Sequence, residues 1–147
     1  FHDITYVIDH PGIIIEADTQ RVVQILGHLL RNAAKFTPPG GSIRLEVQSD
    51  LNAGCVTLSV IDTGIGIAAG DLPRLFQPFV QLDARLARRY QGAGIGLALV
   101  RAIAELHGGQ AGVESTLGVG SRFWVTLPLR ALACRPEQNG GPLHVTY

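Results

Sequence analysis

The fold is decided by Asp62-Thr63-Gly64-Ile65-Gly66-Ile67, taken together with a second glycine-rich stretch, GAGIGL, at residues 92–97. The first stretch follows alternating apolar residues at 56–60, so we expect a strand that ends at Asp62. The second opens onto apolar residues at helical spacing, so we expect a helix with free N–H groups at its start. Glycine allows a backbone to approach a ligand closely. One carboxylate and two glycine loops therefore indicate an adenine nucleotide, with Asp62 accepting a hydrogen bond from the adenine amino group and the second loop meeting phosphates.

Composition limits the classes of function. The 147 residues are 46% hydrophobic and carry no formal net charge, which fits one globular domain with a real core. No basic run is present, which argues against a nucleic-acid surface. The apolar stretches are too short to cross a bilayer. Cys55 and Cys134 lack the spacing of a zinc site or a disulfide framework, so we expect reduced thiols and a cytoplasmic setting.

The chain opens with two short β-type runs, at residues 4–8 and 13–16, which are separated by a His-Pro-Gly turn signal. These runs predict an opening hairpin or two edge strands. From Asp18, placed as an N-cap, apolar residues recur every three or four positions. This is the clearest helix of the sequence, and it must end before Pro38 because proline cannot continue it.

Two further pairs of alternating segments predict antiparallel hairpins, residues 43–47 with 56–60 and 111–115 with 122–127. A short helical turn is predicted over 71–76 and a mobile loop over 77–93. These elements predict an α/β (α+β) two-layer sandwich, in which a mixed, mostly antiparallel sheet is covered on one face by helices. We assign residues 1–129 to this domain and residues 130–147, whose composition is linker-like, to a tail or linker.

Three polar residues lie on one side of the first main helix: His28, Asn32 and Lys35, at intervals of four and three. Asn32 offers an amide oxygen, a hard ligand that suits Mg²⁺, and Lys35 offers positive charge to the same phosphates. Helix spacing alone would favour a solvated face. The two glycine loops favour a metal and phosphate site instead.

Five short motifs, in order along the chain, carry a resemblance to one family. They are HLLRNAAKFT at 28–37, DTGIG at 62–66, LFQPF at 75–79, GAGIGL at 92–97 and GVGS at 118–121. They resemble the N box, first glycine box, F box, second glycine box and closing glycine turn of the catalytic and ATP-binding domain of sensor histidine kinases. That domain is a branch of the ATPase superfamily that includes gyrase, Hsp90 and MutL, and the resemblance covers nearly all of residues 1–129.

The resemblance implies a Bergerat-type ATP-binding fold with ATP and Mg²⁺ as cofactors. In it Asp62 reads adenine, Asn32 holds the metal and Lys35 contacts phosphate, while residues 77–96 fold over the nucleotide as a lid. The implied nucleotide contacts are Asn32, Lys35, Asp62, Gly64, Gly66, Ile67, Phe76, Arg89, Gly92, Gly94, Ile95, Gly96 and Leu97. Phe76 and Phe79 have an equal alternative interpretation as core aromatics at the root of the lid.

The implied activity is that of a protein histidine kinase, which transfers the γ-phosphoryl group of ATP to a histidine. We expect that histidine in a dimerisation domain absent from this chain, so the isolated chain should not become phosphorylated. The implied partners are that dimerisation domain and the receiver domain of a response regulator. The isolated domain is expected to be a monomer, and the full-length protein a homodimer that is cytoplasmic or anchored to the membrane through a sensor region.

His28 departs from the family pattern, which has Asn at this position, whereas the ATP-hydrolysing relatives have a general-base Glu. His28 is therefore a candidate catalytic residue beside Asn32 and Lys35, as a ligand, a base or neither. Two alternatives to the kinase stay open: a catalytically impaired nucleotide-binding regulatory module, and an ATPase or serine kinase of the same superfamily. Arg122 and Trp124 also replace small hydroxyl residues after the closing glycine turn.

Overall fold

The computed structural model of the chain describes residues 1–78 and 96–130. Over these residues five strands form one sheet in the order β1-β2-β3-β5-β4. The strands are β1 Asp3–Ile8, β2 Ser42–Asp50, β3 Cys55–Asp62, β4 Gln110–Thr116 and β5 Gly120–Pro128. β1 pairs with β2 in parallel, and the other three pairings are antiparallel. The predicted mixed, mostly antiparallel sheet and both predicted hairpins are confirmed.

Helix α1, Thr19–Phe36, begins and ends where the sequence predicts. The Asp18 side chain accepts a hydrogen bond from the Arg21 N–H at 3.2 Å, which caps the first turn. At the other end the Thr37 N–H donates to the Ala33 carbonyl at 3.0 Å, and the chain then leaves the helix before Pro38. The side of α1 that faces the core is formed by Ile25, Leu29 and Ala33.

Helix α2, Gly96–Leu106, packs against α1 and against β4 and β5. Its buried side is formed by Val100, Ile103 and Ala104. The helix ends at Leu106, and Gly108, which has a φ of 77°, turns the chain away from it, while the Gly109 N–H donates back to the Ala104 carbonyl at 2.8 Å. Gly109 cannot carry a side chain, because a Cβ there would collide with the Thr126 carbonyl oxygen.

The core lies between these helices and one face of the sheet. From the sheet it includes Val56, Leu58 and Val60 of β3 and Val125 and Leu127 of β5. Because side chains alternate along a strand, Arg122 and Trp124 lie on the opposite face. There Arg122 donates to the Ser59 hydroxyl at 3.1 and 3.3 Å. Arg122 and Trp124, which replace small hydroxyl residues of the family pattern, therefore lie on the face of the sheet that the helices do not cover.

The predicted opening hairpin is wrong. Strand β1 is confirmed, and it is an edge strand, but it pairs with β2, and residues 13–16 form no strand. Instead, Ile15 packs against the core, and the Glu16 N–H donates to the Leu129 carbonyl at 3.0 Å. This segment therefore connects the edge of the sheet to the start of α1, and its apolar residues do not belong to a paired strand.

The expectation of reduced cysteines is wrong for Cys55, which is buried at the start of β3 and takes part in a disulfide bond. The short helical turn predicted over 71–76 is present as a 3₁₀ helix, Ala69–Arg74. Most of the loop predicted over 77–93, and nearly all of the tail predicted over 130–147, lie outside the described residues. Within the described ranges no helix has the length and apolar character needed to span a membrane.

Candidate functional site

Asp62 is the last residue of β3 and is only 6% exposed. Its Oδ1 accepts a hydrogen bond from the Gly64 N–H at 2.8 Å, so the carboxylate is fixed by the loop that follows it. Burial raises the pKa of Asp62, and hydrogen bonds from the backbone N–H groups of Gly64 and Ser121 offset part of that rise. The result is a buried carboxylate with a defined orientation at the end of a central strand.

Residues 62–67, which we call the carboxylate loop, approach neighbouring backbone so closely that side chains are excluded. A Cβ on Gly64 would lie 2.5 Å from the Phe36 carbonyl oxygen. A Cβ on Gly66, whose φ is 67°, would collide with the Thr116 carbonyl oxygen. These two glycines are therefore required by close packing, as well as by the left-handed conformation at Gly66.

The carboxylate loop is held against the turn between β4 and β5. The Gly118 N–H donates to the Ile65 carbonyl at 2.8 Å, and the Ile67 N–H donates to the Ser115 hydroxyl at 2.8 Å. The Ser115 hydroxyl is also 3.0 Å from the Gly120 carbonyl and 2.9 Å from the Ser121 hydroxyl. Ser115 is thus a positioning residue that the sequence analysis missed. Nothing in the sequence pattern separates it from an ordinary strand serine.

The polar stripe, which is His28, Asn32 and Lys35, lies on the C-terminal half of α1, and all three side chains are half-buried. The Lys35 Nζ is 5.1 Å from the centroid of the Phe36 ring. The His28 Nδ1 is 3.3 Å from an Arg31 guanidinium nitrogen. Burial, and then the positive charge of Arg31, lower the pKa of His28.

Three of the predicted segments meet around α1. The carboxylate loop reaches the C-terminal end of that helix, where the Ile65 N–H donates to the Phe36 carbonyl at 3.1 Å. The first residue of α2, Gly96, lies against His28, since a Cβ at Gly96 would be 3.1 Å from the His28 Nδ1. The structure therefore brings the carboxylate, the polar stripe and the end of the second glycine stretch to one region of the molecule.

Other predicted site residues are placed differently. Phe76 is 5% exposed within the core, as the interpretation of it as a core aromatic requires. Ile67 and Leu97 are partly buried against the same core. The remaining predicted contacts lie outside the described residues, as does Phe79; they are Arg89, Gly92, Gly94 and Ile95.

Thr37 adds a feature that the sequence analysis missed. It follows Phe36 directly and is 4% exposed. Its Oγ1 has no hydrogen-bond partner among the described residues. A buried hydroxyl without a partner is unusual, and here it stands one residue from the contact between α1 and the carboxylate loop.

The comparisons with known proteins agree with this geometry. Residues 17–131 match the family model HATPase_c, described as histidine kinase-, DNA gyrase B-, and HSP90-like ATPase. The circadian input-output histidine kinase CikA of Synechococcus elongatus is 45% identical over 119 residues, which are 81% of this chain and 16% of that protein. The histidine protein kinase DivJ of Caulobacter vibrioides is 42% identical over 120 residues, which are 81% of this chain and 20% of that protein. The chain therefore spans a minor part of these relatives.

Solved structures give the same result. Full-length ShkA in complex with AMPPNP matches with a TM-score of 0.75 at 38% identity, over 86% of this chain and 25% of that one. The nucleotide-free catalytic domain of the histidine kinase ThkA matches with a TM-score of 0.75 at 28% identity, over 88% of this chain and 80% of that one. The resemblance drawn from the five motifs and the predicted fold are both confirmed. The chain belongs to the histidine kinase-, DNA gyrase B- and HSP90-like ATPase family.

Proposed function

We propose that this chain is the ATP-binding catalytic domain of a two-component sensor histidine kinase. The observation that carries the proposal is the buried Asp62 carboxylate, held by the Gly64 N–H beside glycines that admit no side chain. The similarity to histidine kinases such as CikA and DivJ, and to a kinase solved with an ATP analogue, supports it. The alternative of a catalytically impaired regulatory module is not favoured, because these relatives are named as kinases.

At the carboxylate end, Asp62 would bind the adenine ring. An ionised carboxylate has about four acceptor positions, so beside the N–H groups of Gly64 and Ser121 it can also accept from an exocyclic amino group. A guanine presents a carbonyl oxygen at the equivalent position, and two acceptors facing each other would repel. The buried carboxylate therefore favours adenine over guanine, because a buried carboxylate that faces a second acceptor gains no hydrogen bond from it.

At the phosphate end, the residues present fit a magnesium ion. Within the described residues no cluster of three His, Cys, Asp or Glu side chains could hold a metal alone. Asn32 would supply one amide oxygen, and the remaining ligands would be phosphate oxygens and water, which is the arrangement that Mg²⁺ favours. Lys35 would place positive charge near the same phosphates. When bound, the ion would neutralise charge on the phosphates.

The transfer itself needs an acceptor from another domain. A nitrogen of the acceptor histidine forms a bond to the γ-phosphorus, the bond from that phosphorus to the β–γ bridging oxygen breaks, and ADP leaves with the electron pair. The contribution of this chain is to position the nucleotide and to neutralise its charge. We propose that the acceptor lies in a dimerisation domain of the full-length protein, and that a response regulator receives the phosphoryl group next.

We assign His28 a role as a hydrogen-bond donor and not as a general base. An arginine guanidinium can only donate, so the Arg31 contact requires the His28 Nδ1 to accept. In the neutral ring the proton then lies on Nε2, and neither nitrogen is free to take another. A positioned donor suits phosphoryl transfer to a separate acceptor, whereas hydrolysis of ATP would need a base to activate water.

The remaining assignments follow from this proposal. Residues 1–129 would form the catalytic domain, and residues 130–147 would form a tail or a linker. The isolated domain would be a monomer, since dimerisation would depend on the separate domain. In the full-length protein this domain would work in the cytoplasm, where ATP is available.

The test is a calorimetric titration of the wild-type chain with a non-hydrolysable ATP analogue, with and without Mg²⁺. We expect binding that Mg²⁺ strengthens. Asp62→Ala should abolish that binding, and Asn32→Ala should bind with an affinity that no longer depends on Mg²⁺. The matched control is Asn52→Ala, which removes an exposed amide in the β2–β3 turn and should bind like wild type. A folded wild-type chain that binds no nucleotide would contradict the proposal.

A second measurement tests the kinase activity. Radiolabelled ATP should leave the isolated chain unlabelled and should label a cognate dimerisation domain added to it. Release of phosphate by the chain alone would instead indicate an ATPase. Nucleotide binding without any labelling of the added domain would indicate a regulatory module.

A further inference from the structure

His107 is the first residue after α2, and its imidazole links the two helices. The ring Nδ1 is 2.8 Å from the Ile103 carbonyl oxygen, one turn back in α2. The ring Nε2 accepts a hydrogen bond from the backbone N–H of Asp18 at 3.2 Å. Asp18 is the N-cap of α1. One side chain therefore connects the end of α2 to the start of α1.

The two partners fix the protonation of the ring. A carbonyl oxygen can only accept, so Nδ1 must carry a proton. A backbone N–H can only donate, so Nε2 must be without one. The bridge therefore requires the neutral imidazole with its proton on Nδ1.

The end of α2 does not need this side chain for its own hydrogen bonds. The His107 N–H already donates to the Ile103 and Ala104 carbonyls, at 3.2 and 3.1 Å. The Gly108 N–H donates to the Glu105 carbonyl at 2.9 Å, and the Gly109 N–H donates to the Ala104 carbonyl at 2.8 Å. Backbone groups thus cap the helix, and what the imidazole adds is the link to Asp18.

The hydrogen bonds of His107 hold α1 and α2 together at the end that is farther from the proposed nucleotide site. At one end of the pair His107 joins the end of α2 to the start of α1. At the other end Gly96, the first residue of α2, lies against His28 in the C-terminal half of α1. The helices are therefore antiparallel neighbours, and fixing one end limits how far they can slide past each other at the other.

We propose that His107 is a positioning residue for nucleotide binding, which sets the placement of α2 relative to α1 through its hydrogen bond to the Asp18 N–H. This inference rests on the proposed function, because the site that it positions is the proposed nucleotide site, to which the start of α2 and the polar stripe both belong. His107 lies at the opposite end of α2 from Gly96.

Three variants of the 147-residue chain separate the two hydrogen bonds. His107→Gln places its amide oxygen near the position of Nε2 and can keep the bond to Asp18. His107→Asn places its amide nitrogen near the position of Nδ1 and can keep only the bond to Ile103. His107→Phe fills similar space and keeps neither. Each variant is titrated with the non-hydrolysable ATP analogue in Mg²⁺, and urea unfolding confirms that it is folded.

We expect His107→Gln to bind within about twofold of wild type, and His107→Asn and His107→Phe to bind about fivefold more weakly, which is the effect of one ordinary hydrogen bond. If His107→Asn binds like wild type and His107→Gln does not, the imidazole acts only on its own helix and the proposal is overturned. The proposal is also overturned if all three variants bind the nucleotide analogue as tightly as wild type.

Substitution of Asp18 gives a second, independent test. The φ of Asp18 is −68°, which proline adopts without strain, so Asp18→Pro removes the N–H donor and the cap together. Asp18→Ala removes only the cap and is the matched control. We expect Asp18→Pro to bind nucleotide more weakly than Asp18→Ala, with no further loss when His107→Phe is added. An additive loss in the double variant would contradict the bridge.

Failure of the proposed function would be recognised separately. If the wild-type chain binds no nucleotide, the nucleotide role fails with that function, and the bridge is judged by nitrogen NMR of the ring. A proton on Nδ1, together with slow hydrogen exchange at the Asp18 amide, would establish the bridge. A proton on Nε2 would exclude it.

Discussion

The carboxylate loop and the polar stripe meet at the C-terminal end of α1, but the structure holds them in different ways. Backbone contacts on two sides hold the loop, to Phe36 of α1 and to the turn between β4 and β5. The stripe follows from the spacing of its residues along one helix, and its side chains are half-buried. The loop therefore contributes to the stability of the fold, whereas the stripe consists of side chains on a helix that forms without them. Substitutions in the loop should change both stability and binding, and substitutions in the stripe should have smaller effects that depend on the one side chain replaced.

The largest effect is expected from Gly66→Ala, which tests whether the loop is part of the fold. A Cβ at this position would collide with the Thr116 carbonyl, at a φ of 67° that alanine rarely adopts. We expect the free energy of unfolding in urea to fall by about 1–3 kcal/mol, with loss of nucleotide binding. Gly64→Ala should behave in the same way, because its Cβ would meet the Phe36 carbonyl.

The control for these variants is Gly70→Ala in the 3₁₀ helix, where a Cβ would meet nothing within 4 Å. It should change neither stability nor binding. Gly66→Ala with the stability of wild type would show that the loop moves freely, and the contrast with the stripe would fail.

The next largest effect is expected from Asp62→Asn, which should lower nucleotide affinity but raise the free energy of unfolding. The amide can still accept the Gly64 N–H, but it can donate where the carboxylate accepts. We expect nucleotide affinity to fall about 10- to 100-fold, the range for a hydrogen bond to a charged group. Because burial raises the pKa of Asp62, the ionised carboxylate opposes folding of the nucleotide-free chain. Removing it should raise the free energy of unfolding at pH 7.

The pH dependence follows from the sign of that shift. The raised pKa means that the cost of the ionised Asp62 is fully present above the folded-state pKa and disappears below the unfolded value of 3.8. The advantage of Asp62→Asn in urea unfolding should therefore shrink as the pH is lowered from 7 towards 4. An advantage that stays constant over this range would show that the carboxylate is not the cause.

A smaller effect is expected from Ser115→Ala, which removes one side of the support for the loop. The variant loses the hydroxyl that accepts the Ile67 N–H. We expect the free energy of unfolding to fall by about 1 kcal/mol and nucleotide affinity to fall about threefold. The matched control is Ser49→Ala, which removes a hydroxyl bonded to Asp9 at the other end of the sheet. It should leave binding unchanged, and equal effects on binding from both variants would remove Ser115 from the site.

The same contrast explains what could be predicted from the sequence. Asp62 was predicted as a strand end because the alternation of β3 stops there, and His28, Asn32 and Lys35 were predicted because helix spacing alone puts them on one side. Local patterns fix both results. The role of Ser115 arises only when a hairpin folds onto residues 48 positions away, and no local pattern records that contact.

The wrong prediction of a hairpin at the start of the chain has a similar cause. The alternation in β1 predicted a strand correctly, but strand partners are chosen by the whole fold. β1 pairs in parallel with β2, and the whole of α1 lies between them in the sequence. The apolar run at 13–16 satisfied a strand pattern, although Ile15 is partly buried against the core and Ile14 is 85% exposed. The periodicity of apolar residues alone cannot distinguish a connecting segment from a second strand.

The smallest effect is expected in the stripe, from His28→Asn, which introduces the family residue. Burial and Arg31 lower the pKa of His28 below 6.5, so its protonated form is disfavoured in the folded chain. The stability that comes from the neutral ring is then fully present above 6.5 and is lost as the pH falls through the folded-state value. Urea unfolding of wild type and His28→Asn should therefore diverge between pH 7.5 and 5, with wild type losing more stability, while the other histidines cancel in the comparison. At pH 7.5 the two should bind nucleotide alike, because an amide can also donate to phosphate. Parallel stability curves would mean that His28 is solvated, and the stripe would then be no better ordered than any exposed helix face.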